Sequence, residues 1–161
     1  MSASCTDGWL HSVGPACHRE SVDVTTTELA RVPVENVRVP RSEFGVVWAA
    51  AEARSTCAAA RGVTDWFAGG VVVTCRWLAG AVVTDQTGRR RMPRSPATER
   101  SVRAYEELIE AEYLVAEGLE LARPDLFEHR PGWCEGIRAT LRWAWRCNGP
   151  APVPAARASA D

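Results

Sequence analysis

A chain of 161 residues with 46% apolar residues and seven Trp can close one hydrophobic core, which excludes disorder along the whole length. Its net charge of −1 lacks the basic balance usual in nucleic-acid binders. All nineteen basic residues are Arg, so every basic group is a planar fork that stays charged and pairs carboxylates or phosphates bidentately.

The Arg-for-Lys bias, with abundant Ala, Val, Gly and Pro, points to a high-GC bacterial source. No basic stretch followed by an apolar run and a small-residue cleavage site opens the chain, so the six Cys read as reduced thiols in the cytoplasm. The charge is blocked along the chain. Gln86 to Arg103 carries six Arg against one Glu (+5), Ala104 to Glu135 nine acids against two Arg (−7), and Gly136 to Cys147 three Arg (+3). Such blocks are expected to answer one another across neighbouring helices.

In chain order, residues 1–24 read as a poorly ordered arm broken by Gly8, Gly14 and Pro15. A GTG start at Val24 would make the first 23 residues an artefact of start-site choice. Val32, Val34, Val37 and Val39 have an extended rhythm, but Pro33 and Pro40 confine the piece to an edge strand or a strap. The first predicted helix runs from Ser42, as cap, to Arg61, with a small-residue stripe of Ala49, Ala53, Cys57 and Ala60. Thr64 or Asp65 caps the second, Trp66 to about Val82. That stretch approaches bilayer length, but Arg76 at its centre and Gly69, Gly70 and Gly80 make it a central buried helix and not a membrane span.

Ser95-Pro96 predicts the start of a third helix at Ala97, running to Glu117, with Ala104, Leu108, Ala111 and Val115 inward. Leu126 and Phe127 are expected to tuck into the core as a turn. Pro131 opens a fourth helix that places Cys134, Ile137, Leu141 and Ala144 inward and Arg138, Arg142 and Arg146 on another side. No internal repeat is read. The expected architecture is all-α: a four-helix-bundle-like domain over residues 25–148, an extended N-terminal arm, and a disordered Pro/Ala-rich tail from 149 to 161.

Two surfaces stand out. Arg89, Arg90, Arg91 and Arg94, followed by Arg100 and Arg103, gather six guanidinium groups that suit a phosphate or another polyanion. Trp133, Arg138, Arg142, Trp143, Trp145 and Arg146 form the second, because Trp143 and Trp145 lie about 200° apart on one helix and cannot all point inward with Trp133. Catalytic patterns are thin. Glu107 and Glu110 are half of a Mg2+ helix motif without its second half, and Cys5, His11, Cys17 and His18 match no familiar zinc spacing. His129 and Cys134 are a base and a thiol with no orienting partner but Glu128.

The expectation is therefore a helical protein-binding or regulatory protein without a cofactor, meeting another protein or a second copy through its Trp-bearing last helix. Nucleic-acid or polyanion binding through residues 88–103 is the alternative, and a small metal or thiol enzyme comes third.

Overall fold

The computed structural model of the chain describes Val24, residues 26–84 and residues 87–154. The expected arm, with its start-site reading and its Cys and His residues, lies outside them but for Val24, as does the tail beyond Pro154. Over the described residues the chain is mostly helical: α1 (Thr26–Arg31), α2 (Arg41–Ala60), α3 (Trp66–Ala79), α4 (Glu106–Glu117), α5 (Leu119–Ala122), α6 (Pro124–His129) and α7 (Trp133–Ala144). A 3-10 turn, Val34–Asn36, follows α1. Strands β1 (Val83–Thr84) and β2 (Arg90–Arg91) pair antiparallel, with Val83 opposite Arg91. No helix among these residues is long and apolar enough to cross a membrane.

Several boundaries differ from expectation, each for a local reason. Pro40, not Ser42, opens α2: its φ of −54° is preset for a helix entry and its carbonyl accepts from Phe44 N–H at 2.9 Å. Asp65 caps α3 by accepting from Ala68 N–H at 2.9 Å, and Gly80 in the left-handed region (φ 62°) stops it short of Val82. The third predicted helix loses its first nine residues, because the Ser95-Pro96 signal makes only a turn. There the Ser95 hydroxyl accepts from Arg100 N–H at 3.0 Å, and Glu112 accepts the Ala97 and Thr98 amides at 2.8 and 3.0 Å. The buried stripe of α4 is consequently Leu108, Ile109, Glu112 and Ala116, while Val115 is exposed. Leu126 is buried but Phe127 is outside, and Val153 of the expected tail packs into the core. Cys57, expected as a reduced core thiol, is half-buried and disulfide-bonded.

The core is organised around α3, buried along most of its length, and α7, which presents Cys134, Ile137, Leu141 and Ala144 to it. Two glycines set their approach. A Cβ on Gly70 would stand 2.4 Å from Trp133 O and 3.2 Å from Ile137 N; one on Gly136 would stand 2.3 Å from Phe67 O and 3.2 Å from Val71 N. Only a residue without a side chain lets these backbones meet at that separation.

These contacts are reciprocal with a constant offset of 66 residues, since 67, 70 and 71 correspond to 133, 136 and 137. The sequence carries the same offset: Gly70-Val71-Val72-Val73-Thr74-Cys75-Arg76-Trp77 aligns with Gly136-Ile137-Arg138-Ala139-Thr140-Leu141-Arg142-Trp143. Thr74 and Thr140 each donate to the carbonyl four residues back, at 2.8 and 2.7 Å. Arg76 and Arg142 each hold a Glu of the preceding long helix with Nε and Nη2, Glu52 on α2 and Glu117 on α4. Each half reaches across to the other: Arg38 N–H donates to Ala144 O at 2.8 Å, and Trp77 Nε1 donates to Val102 O at 2.9 Å. The expectation of no internal repeat is thus corrected. The helix pairs α2–α3 and α4–α7 repeat these features, and α3 and α7 meet through reciprocal contacts.

Candidate functional site

The Arg-rich segment does not form one cluster. Arg90 and Arg103 converge with Arg31 of α1 on a recess of about 390 Å3 whose other walls are Glu28 and the chain from Ala79 to Val82. This is the C-terminal end of α3, where the helix dipole favours cations. A Cβ on Gly80 would meet only Arg103 Nε, at 3.9 Å, so the arginine lies across a bare stretch of backbone. Arg94 turns to a different cleft and Arg100 stands exposed behind its own amide's bond to Ser95. Arg89 and Arg91 are exposed and each engages a neighbour. Among the described residues, Arg31, Arg90, Arg94, Arg100 and Arg103 form no ion pair.

The α7 surface is arranged differently. Arg138 pairs with Glu120 at 3.1 Å, Arg142 with Glu117 through Nε at 2.6 Å, and Arg146 with Glu110 at 3.5 Å. The basic and acidic blocks therefore meet within the molecule. Trp143 is buried and stacks on Phe44 with ring centroids 6.3 Å apart. Trp145 is buried too, donating Nε1–H to Glu110 at 2.7 Å beneath the Arg38 guanidinium, 3.9 Å from the ring centroid. Trp133 remains half-buried, edge-on to Trp66 at 6.1 Å. The Arg142 guanidinium also holds the Glu117 carboxyl below the ordinary carboxylate range.

The same offset relates the linings of two clefts of about 270 Å3. One is lined by Val73, Arg76, Val83, Trp133 and the Pro93–Pro96 strap; the other by Ala139, Arg142, Gly149, Phe67 and the Asn148–Pro152 strap. Position for position, each has a small apolar wall, an arginine held by its own Glu, and an aromatic ring from the opposite helix pair. Arg76 is the sequence's lone charge on the central helix, and the bidentate pair with Glu52, itself bonded by Trp48 Nε1 at 3.0 Å, explains how it is tolerated.

Glu112 was not anticipated. It is fully buried on α4, and its carboxylate takes the Ala97 and Thr98 amides and the Thr98 hydroxyl, so it fixes the strap carrying Arg94 and Ser95. An acid inside the apolar stripe of an amphipathic helix was the available signal. Burial pushes the Cys134 thiol up from its ordinary value, His129 Nδ1 lies 2.9 Å from Asp125 O, and no hydrogen bond joins His129 to Cys134 among the described residues. Glu110 is engaged by Trp145 and Arg146, and no group of three metal-ligating side chains occurs among the described residues.

No family model, curated protein or solved structure matches this chain.

Proposed function

We propose that this chain is a binding protein that recognises an acidic segment of another protein through the face built by Arg31, Arg90 and Arg103. The observation that carries the reading is a contrast in charge pairing. Arg138 and Arg142 of α7 and Arg146 just beyond it each hold a glutamate of the same molecule, whereas Arg31, Arg90 and Arg103 share a recess with Glu28 and have no carboxylate within ion-pair distance among the described residues. Unpaired guanidinium forks at one site select carboxylates by bidentate geometry and steer association by their field. Apolar side chains accompany them. Val82 lines the recess, and Met92 and Val102, next to Arg91 and Arg103 in the chain, are 41% and 43% exposed. Arg and Met beside apolar surface is the composition of a protein interface. Aromatic rings on which bases could stack are missing from the recess lining, and the net charge is −1, both of which count against nucleic acid.

The test is fluorescence anisotropy with a labelled oligo-glutamate peptide and a labelled DNA duplex at near-physiological salt. The reading expects salt-sensitive peptide binding that Arg31→Ala, Arg90→Ala and Arg103→Ala together remove, with the duplex bound more weakly. Tighter duplex binding would transfer the face to nucleic acid, and no binding of either probe would end the proposal.

A further inference from the structure

We infer that the Arg76 cleft binds a small organic acid, a flat apolar body bearing one carboxylate, and that its counterpart at Arg142 does not. The two clefts arise from one repeated framework and have the same volume, so differences in lining isolate what each is built to take. Shared features account for structure: the paired arginine, the apolar wall and the aromatic ring are present in both. What the Arg76 cleft adds is Arg94 and Ser95 on its strap and Glu99 beyond it, with Pro93 and Pro96 closing an apolar side. At the other cleft the strap is Asn148–Pro152 and the added charged group is Glu135.

The charge balance follows. In the Arg142 cleft one arginine faces Glu117 and Glu135, leaving an excess of negative charge. In the Arg76 cleft Glu52 takes Nε and Nη2 of Arg76, leaving Nη1 free of that pair, and Arg94 has no acid in ion-pair contact among the described residues. Glu99 lines the same cleft and makes no ion pair with Arg76 or Arg94 among the described residues. The Arg76 cleft therefore sets two arginines against Glu52 and Glu99, where the other sets one against two, and Arg94 keeps a guanidinium that no carboxylate of the cleft binds. A carboxylate at Arg94, within the field of Arg76, satisfies it, while the body of the ligand lies among Val73, Val83, Pro93, Pro96 and Trp133. The space of about 270 Å3 suits a ligand at the small end of the usual range. Glu112, by holding the Ala97 and Thr98 amides, keeps the strap and Arg94 in place before any ligand arrives.

Two-dimensional NMR of the full chain titrated with benzoate, and with benzyl alcohol as the uncharged analogue, tests the assignment. Benzoate is expected to shift the Trp133 indole and the Val83 and Arg94 resonances saturably, leaving Phe67 and Ala139 unmoved. Arg94→Ala removes one charge-assisted contact and weakens benzoate by about tenfold or more, with the protein's other resonances unchanged. Benzyl alcohol bound as well as benzoate, an Arg94→Ala variant that binds normally, shifts that map to the Arg142 cleft, or no saturable shift would each overturn the inference.

Discussion

Replacing Gly136 with Ala tests the packing on which both helix pairs depend. An added methyl would lie 2.3 Å from Phe67 O and 3.2 Å from Phe67 C and Val71 N. All three are backbone atoms of α3, so no rotamer change relieves the clash and the helices themselves must separate. Overpacking of this kind costs about 1–3 kcal/mol, and an immovable neighbour places it at the upper end. Ala is favoured over Gly in a helix by about 1 kcal/mol, which offsets part of that cost. The net expectation is a loss of about 2 kcal/mol, lowering Tm by about 4–8 °C for a domain of this size. Gly118→Ala is the control: its φ of −108° suits any residue and nothing lies within 4 Å of the added Cβ, so stability should rise by about 0.5 kcal/mol. Chemical denaturation followed by circular dichroism and Trp fluorescence measures both. A Gly136→Ala protein that unfolds at or above the wild-type midpoint would refute the close crossing of α3 and α7.

Glu112→Ala leaves two backbone amides and a hydroxyl of the 95–100 strap without their acceptor, and should cost about 3 kcal/mol by denaturant titration; a loss below about 1 kcal/mol would show the carboxylate to be dispensable. Acid should destabilise the fold partly through Asp65 and Glu117. Burial of Asp65 raises its pKa, but the Ala68 amide and Arg54 outweigh that and leave it lowered; Arg142 lowers that of Glu117. A lowered native pKa gives stability that is full above the unfolded carboxylate value of about 4 and is lost as pH falls through the native value. Asp65→Asn with Glu117→Gln should therefore flatten the decline in stability on acidification, and an unchanged slope would contradict the assignment. Alkylation of the native protein, read by peptide mass spectrometry, should modify exposed Cys147 well ahead of Cys75 and Cys134, whose burial raises their pKa. Equal labelling of the three would show that the core opens.

The central helix was legible because Trp66 to Ala79 is apolar on nearly every side, and the inward residues of α7 followed from simple helical spacing. The start of α4 was not. Ser95-Pro96 is a sound local cap, but the groups that satisfy the turn come from Glu112, a tertiary partner 14 and 15 residues away that local pattern does not reveal. Only a helix with an open side would leave Trp143 or Trp145 exposed. In the fold α7 ends at Ala144, and the chain at Arg38 bonds that end and covers Trp145, so both rings are enclosed. The repeat was readable in principle, since Gly, Thr, Arg and Trp recur at identical spacing in two helices 66 residues apart. Its meaning depends on the reciprocal Gly70 and Gly136 contacts, which only the fold displays. Of the Arg-rich segment, the charge was evident, whereas its division between the Arg31 recess and the Arg94 cleft follows from the β1–β2 pairing and the strap.

The most direct measurement compares two triple variants in the oligo-glutamate binding assay and in thermal denaturation. Arg31→Ala, Arg90→Ala and Arg103→Ala together should abolish peptide binding and leave Tm nearly unchanged, because these side chains hold no acid of their own among the described residues. Arg138→Ala, Arg142→Ala and Arg146→Ala together should lower Tm, by unpairing Glu120, Glu117 and Glu110, and leave binding intact. Binding lost from the α7 variant and retained in the other would place the recognition surface on the last helix and contradict the account.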